Sequence, residues 1–244
     1  MSSSPLAGTT IVFDLDGTLV DTAPDLTNAL NRALQACGFP AVQGEAVRAS
    51  VAFGARAMIA EGLHQVDAPN EHRTEDRIDA MLADFLDHYE TNIAVESVPF
   101  PGMLETLDEL QTAGAILAVC TNKREQLALQ LLRSLEMADR FASIAGRDTF
   151  AASKPDPLHL TETIAAAGGD PQRAVMIGDS DVDIRTAKAA GIPAIGVRFG
   201  YGPADSLAAT APEALIDGYA DLLPVLHQLL TSEDPVNPPF GTPS

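Results

Sequence analysis

The stretch Ile11-Val12-Phe13-Asp14-Leu15-Asp16-Gly17-Thr18 joins a short apolar run to two aspartates. A continuous apolar run is typical of a buried parallel strand, and Gly17 ends it. In open α/β sheets, ligands bind just beyond the carboxyl ends of the strands. The stretch therefore predicts a strand that carries Asp14 and Asp16 to the edge of a sheet where chemistry takes place.

The composition disfavours several classes of protein. The chain has 244 residues, of which 46% are hydrophobic, as in a globular protein with a substantial core. Its formal net charge of −19 disfavours nonspecific binding to nucleic acid or to an anionic membrane. Cys37 and Cys120 lie far apart and suggest a reducing compartment rather than a disulfide scaffold. With no recognisable targeting segment or apolar span, we expect a cytoplasmic protein that binds neither nucleic acid nor membrane.

The spacing of apolar residues indicates a core with an inserted domain. Only helical spacing is found between the first strand and Glu96. After the Pro99-Phe100-Pro101-Gly102 turn, strands alternate with helices, and the predicted strands cover 115–120, 143–145, 174–177, 194–197 and 214–216. Such alternation predicts an α/β fold, a parallel sheet with helices on both faces.

The domain boundaries follow from this pattern. We predict a core over 1–20 and 97–231, an inserted all-helical domain over 21–96, and a disordered tail over 232–244.

Polar motifs follow the other predicted strands as well. Thr121-Asn122 ends one strand, the run from Gly178 to Asp183 ends another, and Ser153-Lys154-Pro155-Asp156-Pro157 precedes a helix. Since all strand ends of a parallel sheet lie at one edge, these motifs should converge with Asp14 and Asp16. The aspartates of such a cluster would need a cation, for which Mg²⁺ is the natural choice. Together with one lysine and one threonine, this arrangement predicts a site for a phosphoryl group.

Each motif alone has a simpler interpretation. Aspartates at a strand end often form turns or helix caps, and Thr121-Asn122 and Lys154 suit ordinary loops. The joint occurrence of all four motifs at strand exits and loops favours a functional site.

The motifs DLDGT, CTN, SKPDP and GDSDVD resemble those of the haloacid dehalogenase superfamily of phosphohydrolases, and the resemblance covers nearly the whole chain. It implies a Rossmann-like core with an inserted helical cap domain. It also implies that Asp14 is a nucleophile that becomes an aspartyl-phosphate, and that Asp16 is the general acid and base. Mg²⁺ would be held by Asp14, Asp179 and the backbone carbonyl of Asp16, and Asp183 would support this site without binding the metal directly.

The same resemblance implies that Thr121, Asn122 and Lys154 bind the substrate, with Thr121 and Lys154 on the phosphoryl oxygens. Dehalogenases of this fold lack the second aspartate, so Asp16 argues against that activity. Phosphonate-cleaving members use a lysine of the cap, and residues 21–96 contain none. A sugar-phosphate mutase of the β-phosphoglucomutase type stays open, since its catalytic residues are nearly the same.

Several stretches resemble those of phosphoglycolate phosphatases, which makes 2-phosphoglycolate the expected substrate. Within Phe53-Gly54-Ala55-Arg56-Ala57, Gly54 would let the backbone approach the site, and Arg56 would pair with a substrate carboxylate. The alternative for Arg56 is a solvated helix face. Lys123 has the same two interpretations, and such caps often have asparagine where Phe53 stands.

Three other functions stay open at this point: a sugar-phosphate mutase, a phosphatase or pyrophosphatase of other specificity, and a non-catalytic binding protein. The expected partner is a small phosphorylated metabolite, and the chain would be a monomer or a homodimer.

Overall fold

The computed structural model describes residues 4–231, so the tail predicted over 232–244 lies outside the described residues. The strands are β1 (Thr10–Phe13), β2 (Val20–Asp21), β3 (Val98–Pro99), β4 (Ile116–Cys120), β5 (Ser143–Ala145), β6 (Ala174–Gly178), β7 (Ala194–Val197) and β8 (Ala214–Ile216). The helices are α1 (Ala23–Ala36), α2 (Gly44–Val47), α3 (Ala55–Gln65), α4 (Glu75–Thr91), α5 (Met103–Thr112), α6 (Glu125–Ser134), α7 (Pro157–Ala166), α8 (Asp181–Ala189), α9 (Ala204–Ala209) and α10 (Leu222–Thr231). Among the described residues, no helix is both long enough and apolar enough to cross a membrane.

Six strands form one parallel sheet in the order β5-β4-β1-β6-β7-β8. The strand β1 lies inside the sheet, where Phe13 is opposite Val119 of β4 and Ile177 of β6. Later strands extend the sheet first on one side of β1 and then on the other, so the strand order reverses at β1. The predicted α/β fold with a parallel sheet is confirmed.

The sheet is buried on both faces because helices cover it. On one face Val12 and Met176 pack with Ile164 of α7 and Ile184 of α8. Phe13, which points to the opposite face, is also fully buried. A strand with no exposed face is a rigid support for the residue that follows it.

The chain divides into two compact units. One contains the described residues up to Leu19 and those from Pro99 onward, and it holds the six-stranded sheet. The other is Val20–Val98, in which α1 packs against α3 and α4. Its function as a cap domain stays a prediction. The pairing of β2 with β3 was not predicted, because a strand of two residues is too short to show a repeating pattern of apolar and polar residues.

A buried carboxylate closes the inserted unit at its two ends. Asp25, in the first turn of α1, accepts hydrogen bonds from the backbone N–H groups of Val95, Glu96 and Ser97 at 2.8–3.1 Å. The Ser97 hydroxyl donates a further bond at 2.7 Å. Asp25 thus holds the segment that leaves the unit against the helix that enters it.

Candidate active site

Three strands of the sheet end side by side, and each is followed by a polar residue. Asp14 follows β1, Thr121 follows β4 and Asp179 follows β6. The Asp14 N–H donates to the Ile177 carbonyl at 2.9 Å, and the Thr121 N–H donates to the Ala145 carbonyl at 3.0 Å. Both residues therefore continue the hydrogen-bond ladder, and the sheet itself brings their side chains to one edge.

Three buried carboxylates form a cluster at this edge. Asp14, Asp179 and Asp183 each offer one oxygen, and these oxygens lie within 4.8 Å of one another. Burial raises the pKa of Asp14 to about 6, with Lys154 opposing the shift and Asp183 adding to it. Burial, and then the charges of Asp183 and Asp14, raise the pKa of Asp179 to about 7. Carboxylates this close repel one another unless a cation lies among them.

The oxygens of this cluster suit a hard divalent cation. Mg²⁺ prefers oxygen ligands and commonly takes one or two carboxylates together with water. The cluster found among the described residues includes Asp183 and not the Asp16 side chain. The cluster and the ligand set implied by the resemblance share Asp14 and Asp179. They differ in the third member, which is the Asp183 carboxylate in the cluster and the Asp16 backbone carbonyl in the implied set.

A buried ammonium group lies beside the cluster. The Lys154 Nζ is 2.9 Å from Asp14 Oδ1 and 2.6 Å from Asp183 Oδ1, and its side chain is 2% exposed. Burial opposes the charge of Lys154, but the carboxylates of Asp14 and Asp183 outweigh it and raise its pKa. Lys154 is therefore a permanent cation at the site.

Asp183 is held from two sides, so it can orient Lys154. One oxygen accepts the Lys154 ammonium, while the other accepts the Ser180 N–H at 3.1 Å and the Ser180 hydroxyl at 2.6 Å. The bond from the Ser180 N–H is one half of the capping box of α8, and the Asp183 N–H donates to the Ser180 side chain in the other half, which explains why Asp183 sits at the third position of that helix.

The loop after β7 fixes Asp179, and sequence reasoning missed this loop. The N–H groups of Tyr201 and Gly202 donate to Asp179 Oδ2 at 2.6 and 3.1 Å. A Cβ atom at Gly200 would lie 2.2 Å from Asp179 Cβ, so only glycine allows the approach. The sequence Gly-Tyr-Gly at 200–202, two residues beyond the end of a predicted strand, was the available signal.

Asp16 faces a different cation from Asp14. The Lys123 Nζ lies 2.8 and 3.0 Å from the two carboxylate oxygens of Asp16, and the Lys123 side chain is 6% exposed. Sequence reasoning left Lys123 undecided between the site and a solvated surface. The structure places it beside Asp16.

The motif after β4 contacts its neighbours through both of its side chains. The Thr121 hydroxyl accepts the Lys123 N–H at 3.2 Å, and Thr121 is 2% exposed. The Asn122 amide donates to the backbone carbonyl of Lys154 at 3.0 Å. Asn122 thus ties its own strand end to the loop that carries Lys154.

The remaining candidates, Gly54 and Arg56, belong to the inserted unit. Gly54 precedes α3 with φ of +84°, a conformation that favours glycine. The Arg56 guanidinium forms ion pairs with Glu75 and Asp79 of α4, and the Arg56 side chain is 45% exposed. To bind a substrate carboxylate, Arg56 would exchange these acidic partners for that group.

Comparisons with known proteins agree on one family. Residues 11–197 match the family model of haloacid dehalogenase-like hydrolases. The chain is 52% identical over 191 residues to the phosphoglycolate phosphatase of Mesorhizobium japonicum, covering 78% of this chain and 83% of that protein. It is 45% identical over 235 residues to the phosphoglycolate phosphatase of Agrobacterium fabrum, covering 96% and 98%.

A solved structure resembles this chain along most of its length. The crystal structure of "a predicted phosphoglycolate phosphatase" from Haemophilus somnus superposes with a TM-score of 0.80 at 30% identity, covering 89% of this chain and 97% of that chain.

Proposed function

The chain belongs to the haloacid dehalogenase-like hydrolase family, and from this premise we propose that it hydrolyses 2-phosphoglycolate to glycolate and phosphate. The observation that carries the proposal is the convergence of Asp14, Asp179 and Asp183 at the switch point of the sheet, where Lys154 forms ion pairs with Asp14 and Asp183. Relatives at 45–52% identity are named for this activity, which supports the choice of substrate.

The proposed cofactor is Mg²⁺. Asp14, Asp179 and the Asp16 carbonyl would hold it, while Asp183 would support the site through Ser180 and Lys154. When bound, Mg²⁺ would neutralise the phosphoryl oxygens and allow an anionic nucleophile to approach them. The repulsion within the carboxylate cluster supports this assignment.

The first proposed step transfers the phosphoryl group to Asp14. A carboxylate oxygen of Asp14 forms a bond to phosphorus as the bond to the leaving oxygen breaks, while Lys154 and Thr121 bind the phosphoryl oxygens. Asp16 donates a proton to that leaving oxygen, which departs as the hydroxyl of glycolate. The rigid support of Asp14 by β1 favours in-line attack.

The second proposed step releases phosphate. Asp16, now a carboxylate, removes a proton from water as the water oxygen attacks the phosphorus of the aspartyl-phosphate. The bond between phosphorus and Asp14 breaks, and both groups return to their starting state. The ammonium of Lys123, 2.8 Å from Asp16, pairs with the Asp16 carboxylate at this stage.

Recognition of the leaving group has two candidate residues. Arg56, with Gly54 opening its loop, would bind the carboxylate of 2-phosphoglycolate from the inserted unit. Lys123 stands beside Asp16, which handles the leaving oxygen, and it offers a second cation to the same carboxylate.

We extend the proposal to the setting of the reaction. The partner would be a small metabolite rather than nucleic acid or membrane, because the net charge is −19. The free cysteines Cys37 and Cys120 favour the cytoplasm, and the assembly would be a monomer or a homodimer.

A phosphate-release screen tests the proposal. The full chain is assayed with Mg²⁺ against 2-phosphoglycolate, sugar phosphates, nucleotides, pyrophosphate and p-nitrophenyl phosphate. We expect kcat/KM for 2-phosphoglycolate to exceed all others. A flat profile would discard the substrate and keep the phosphatase. An absence of release would leave a mutase, tested by phosphoryl exchange between sugar phosphates, or a non-catalytic binding protein.

A further inference from the structure

A fully buried histidine lies behind the proposed site, and the mechanism above does not use it. His159 is the third residue of α7 and has 0% exposure. Its Nδ1 lies 3.2 Å from the backbone nitrogen of Lys154, and its Nε2 lies 3.1 Å from the backbone oxygen of Gly146. The ring therefore spans two separate loops.

The two contacts fix the tautomer of the ring. A backbone carbonyl can only accept, so Nε2 carries the hydrogen that bonds Gly146. The backbone N–H of Lys154 can only donate, so Nδ1 is the unprotonated acceptor. Burial and the ammonium of Lys154 lower the pKa of His159 to about 4, which keeps the ring neutral, while the hydrogen bond to Gly146 and the charge of Asp156 oppose the shift.

The contact with Lys154 completes the anchoring of its backbone. Asn122 binds the Lys154 carbonyl at 3.0 Å, and His159 binds the N–H of the same residue at 3.2 Å. With both backbone groups held, the side chain reaches Asp14 and Asp183 from a fixed starting point.

The contact with Gly146 connects the ring to the other lysine of the site. The N–H of Arg147 donates to the Lys123 carbonyl at 2.9 Å. A Cβ atom at Gly146 would lie 2.7 Å from that carbonyl oxygen, so the two segments touch closely. The segment that His159 holds is thus the one against which the Lys123 backbone rests.

We infer that His159 is a positioning residue, whose ring joins the Lys154 backbone to the Gly146 carbonyl and so fixes the Lys154 ammonium between Asp14 and Asp183. The inference rests on the proposed function, in which Lys154 binds the phosphoryl group. A displacement of about 1 Å at such a group can cost a hundredfold in rate. The ring thus acts on the phosphoryl group through Lys154 and without touching it.

Three variants separate positioning from packing. His159→Phe keeps the ring volume and loses both bonds, whereas His159→Asn places an amide oxygen near the position of Nδ1. Thr163→Val is the matched control, because it removes the 2.6 Å bond from the Thr163 hydroxyl to the His159 carbonyl and leaves the ring contacts in place. All three are compared by kcat and KM for 2-phosphoglycolate, by the inhibition constant of orthovanadate, and by Tm.

We expect His159→Phe to lower kcat/KM and to weaken orthovanadate binding by about tenfold or more, since a buried N–H loses its acceptor. His159→Asn should recover most of this loss, and Thr163→Val should lower only Tm. Equal effects of His159→Phe and Thr163→Val on kcat/KM and orthovanadate binding would overturn the inference, as would failure of His159→Asn to recover them.

A second measurement on the unmutated protein does not depend on activity. The ¹⁵N spectrum of the His159 ring should show Nε2 protonated and Nδ1 unprotonated, with Nδ1 gaining a proton only as the pH falls toward about 4. A hydrogen on Nδ1 at neutral pH would overturn the inference. Absence of phosphate release by the unmutated protein would instead overturn the proposed function, leaving orthovanadate binding and this spectrum to judge His159.

Discussion

Asp14 and Asp16 are two positions apart, yet each contacts a different lysine. Asp14 Oδ1 lies 2.9 Å from Lys154, and Asp16 Oδ1 lies 2.8 Å from Lys123. Lys154 is shared with a further buried carboxylate, whereas Lys123 contacts both oxygens of Asp16. Separate cations allow the two aspartates to take separate parts in the proposed reaction.

Replacement of the proposed nucleophile tests the chemistry at this scale. Asp14→Asn should lower kcat by more than about a thousandfold, because the amide cannot form the acyl-phosphate. The Tm should be unchanged or higher, since a buried charge is removed from a repelling cluster. Activity within about tenfold of wild type, measured by phosphate release, would exclude Asp14 as nucleophile.

The two candidates for leaving-group recognition give different kinetic patterns. If Arg56 binds the substrate carboxylate, Arg56→Ala should raise KM for 2-phosphoglycolate by about tenfold and leave p-nitrophenyl phosphate unaffected. If Lys123 binds it, Lys123→Met should raise that KM instead and also lower kcat for both esters, because Lys123 contacts Asp16.

Arg140→Ala is the matched control for these variants, since Arg140 also forms an exposed ion pair, with Asp108. Equal effects of Arg56→Ala on both esters would remove Arg56 from substrate recognition. The same outcome for Lys123→Met would confine Lys123 to its contact with Asp16.

At the scale of elements, the predicted bounds were most accurate for strands whose apolar run ends at a residue of the candidate site. The strand before Asp14 and the strand before Asp179 are apolar runs that stop at acidic residues, and both were predicted to within about one residue. Helix α9 was not predicted, because six residues make less than two turns and carry little periodic signal.

Parts of the site depend on contacts between distant residues and could not be predicted from local patterns. His159 looks like one of several scattered histidines until α7 and the two loops are placed around it. By local pattern alone, Asp25 is an acidic residue in the first turn of α1, a common place for one. Its bonds to Val95, Glu96 and Ser97 join residues about 70 positions apart, and no local spacing reports them.

The contacts of Asp25 make a prediction about the inserted unit. Asp25→Ala should lower the free energy of unfolding by about 3 kcal/mol, since three backbone N–H groups and a hydroxyl lose a charged acceptor. The measurement is chemical denaturation followed by circular dichroism. Asn28→Ala is the control, because it removes an exposed bond to Glu96, in the same segment, and should cost less than about 1 kcal/mol. Equal losses in the two variants would contradict the assignment.

At the scale of the whole molecule, the negative charge and the buried cluster favour cation binding to the native state. A ligand that binds the native state and not the unfolded chain raises the apparent stability with its concentration. Millimolar Mg²⁺ should therefore raise Tm, and a chelator should reverse the shift and stop phosphate release. In Asp179→Asn the Mg²⁺-dependent shift should shrink, because one proposed ligand loses its charge. An unchanged shift in this variant, measured by calorimetry, would place the cation elsewhere.

The position of β1 within the sheet has a consequence for biosynthesis. Its partners β4 and β6 are encoded far downstream, beyond the contiguous unit Val20–Val98. Pairings between distant segments form slowly, and chains emerge from the ribosome with the amino-terminal part first. The helices of the inserted unit can pack against one another before β4 and β6, the neighbours of β1 in the sheet, have been synthesised. The strand that carries Asp14 is thus synthesised before both of its neighbours, and it cannot be fully paired until β6 has been made.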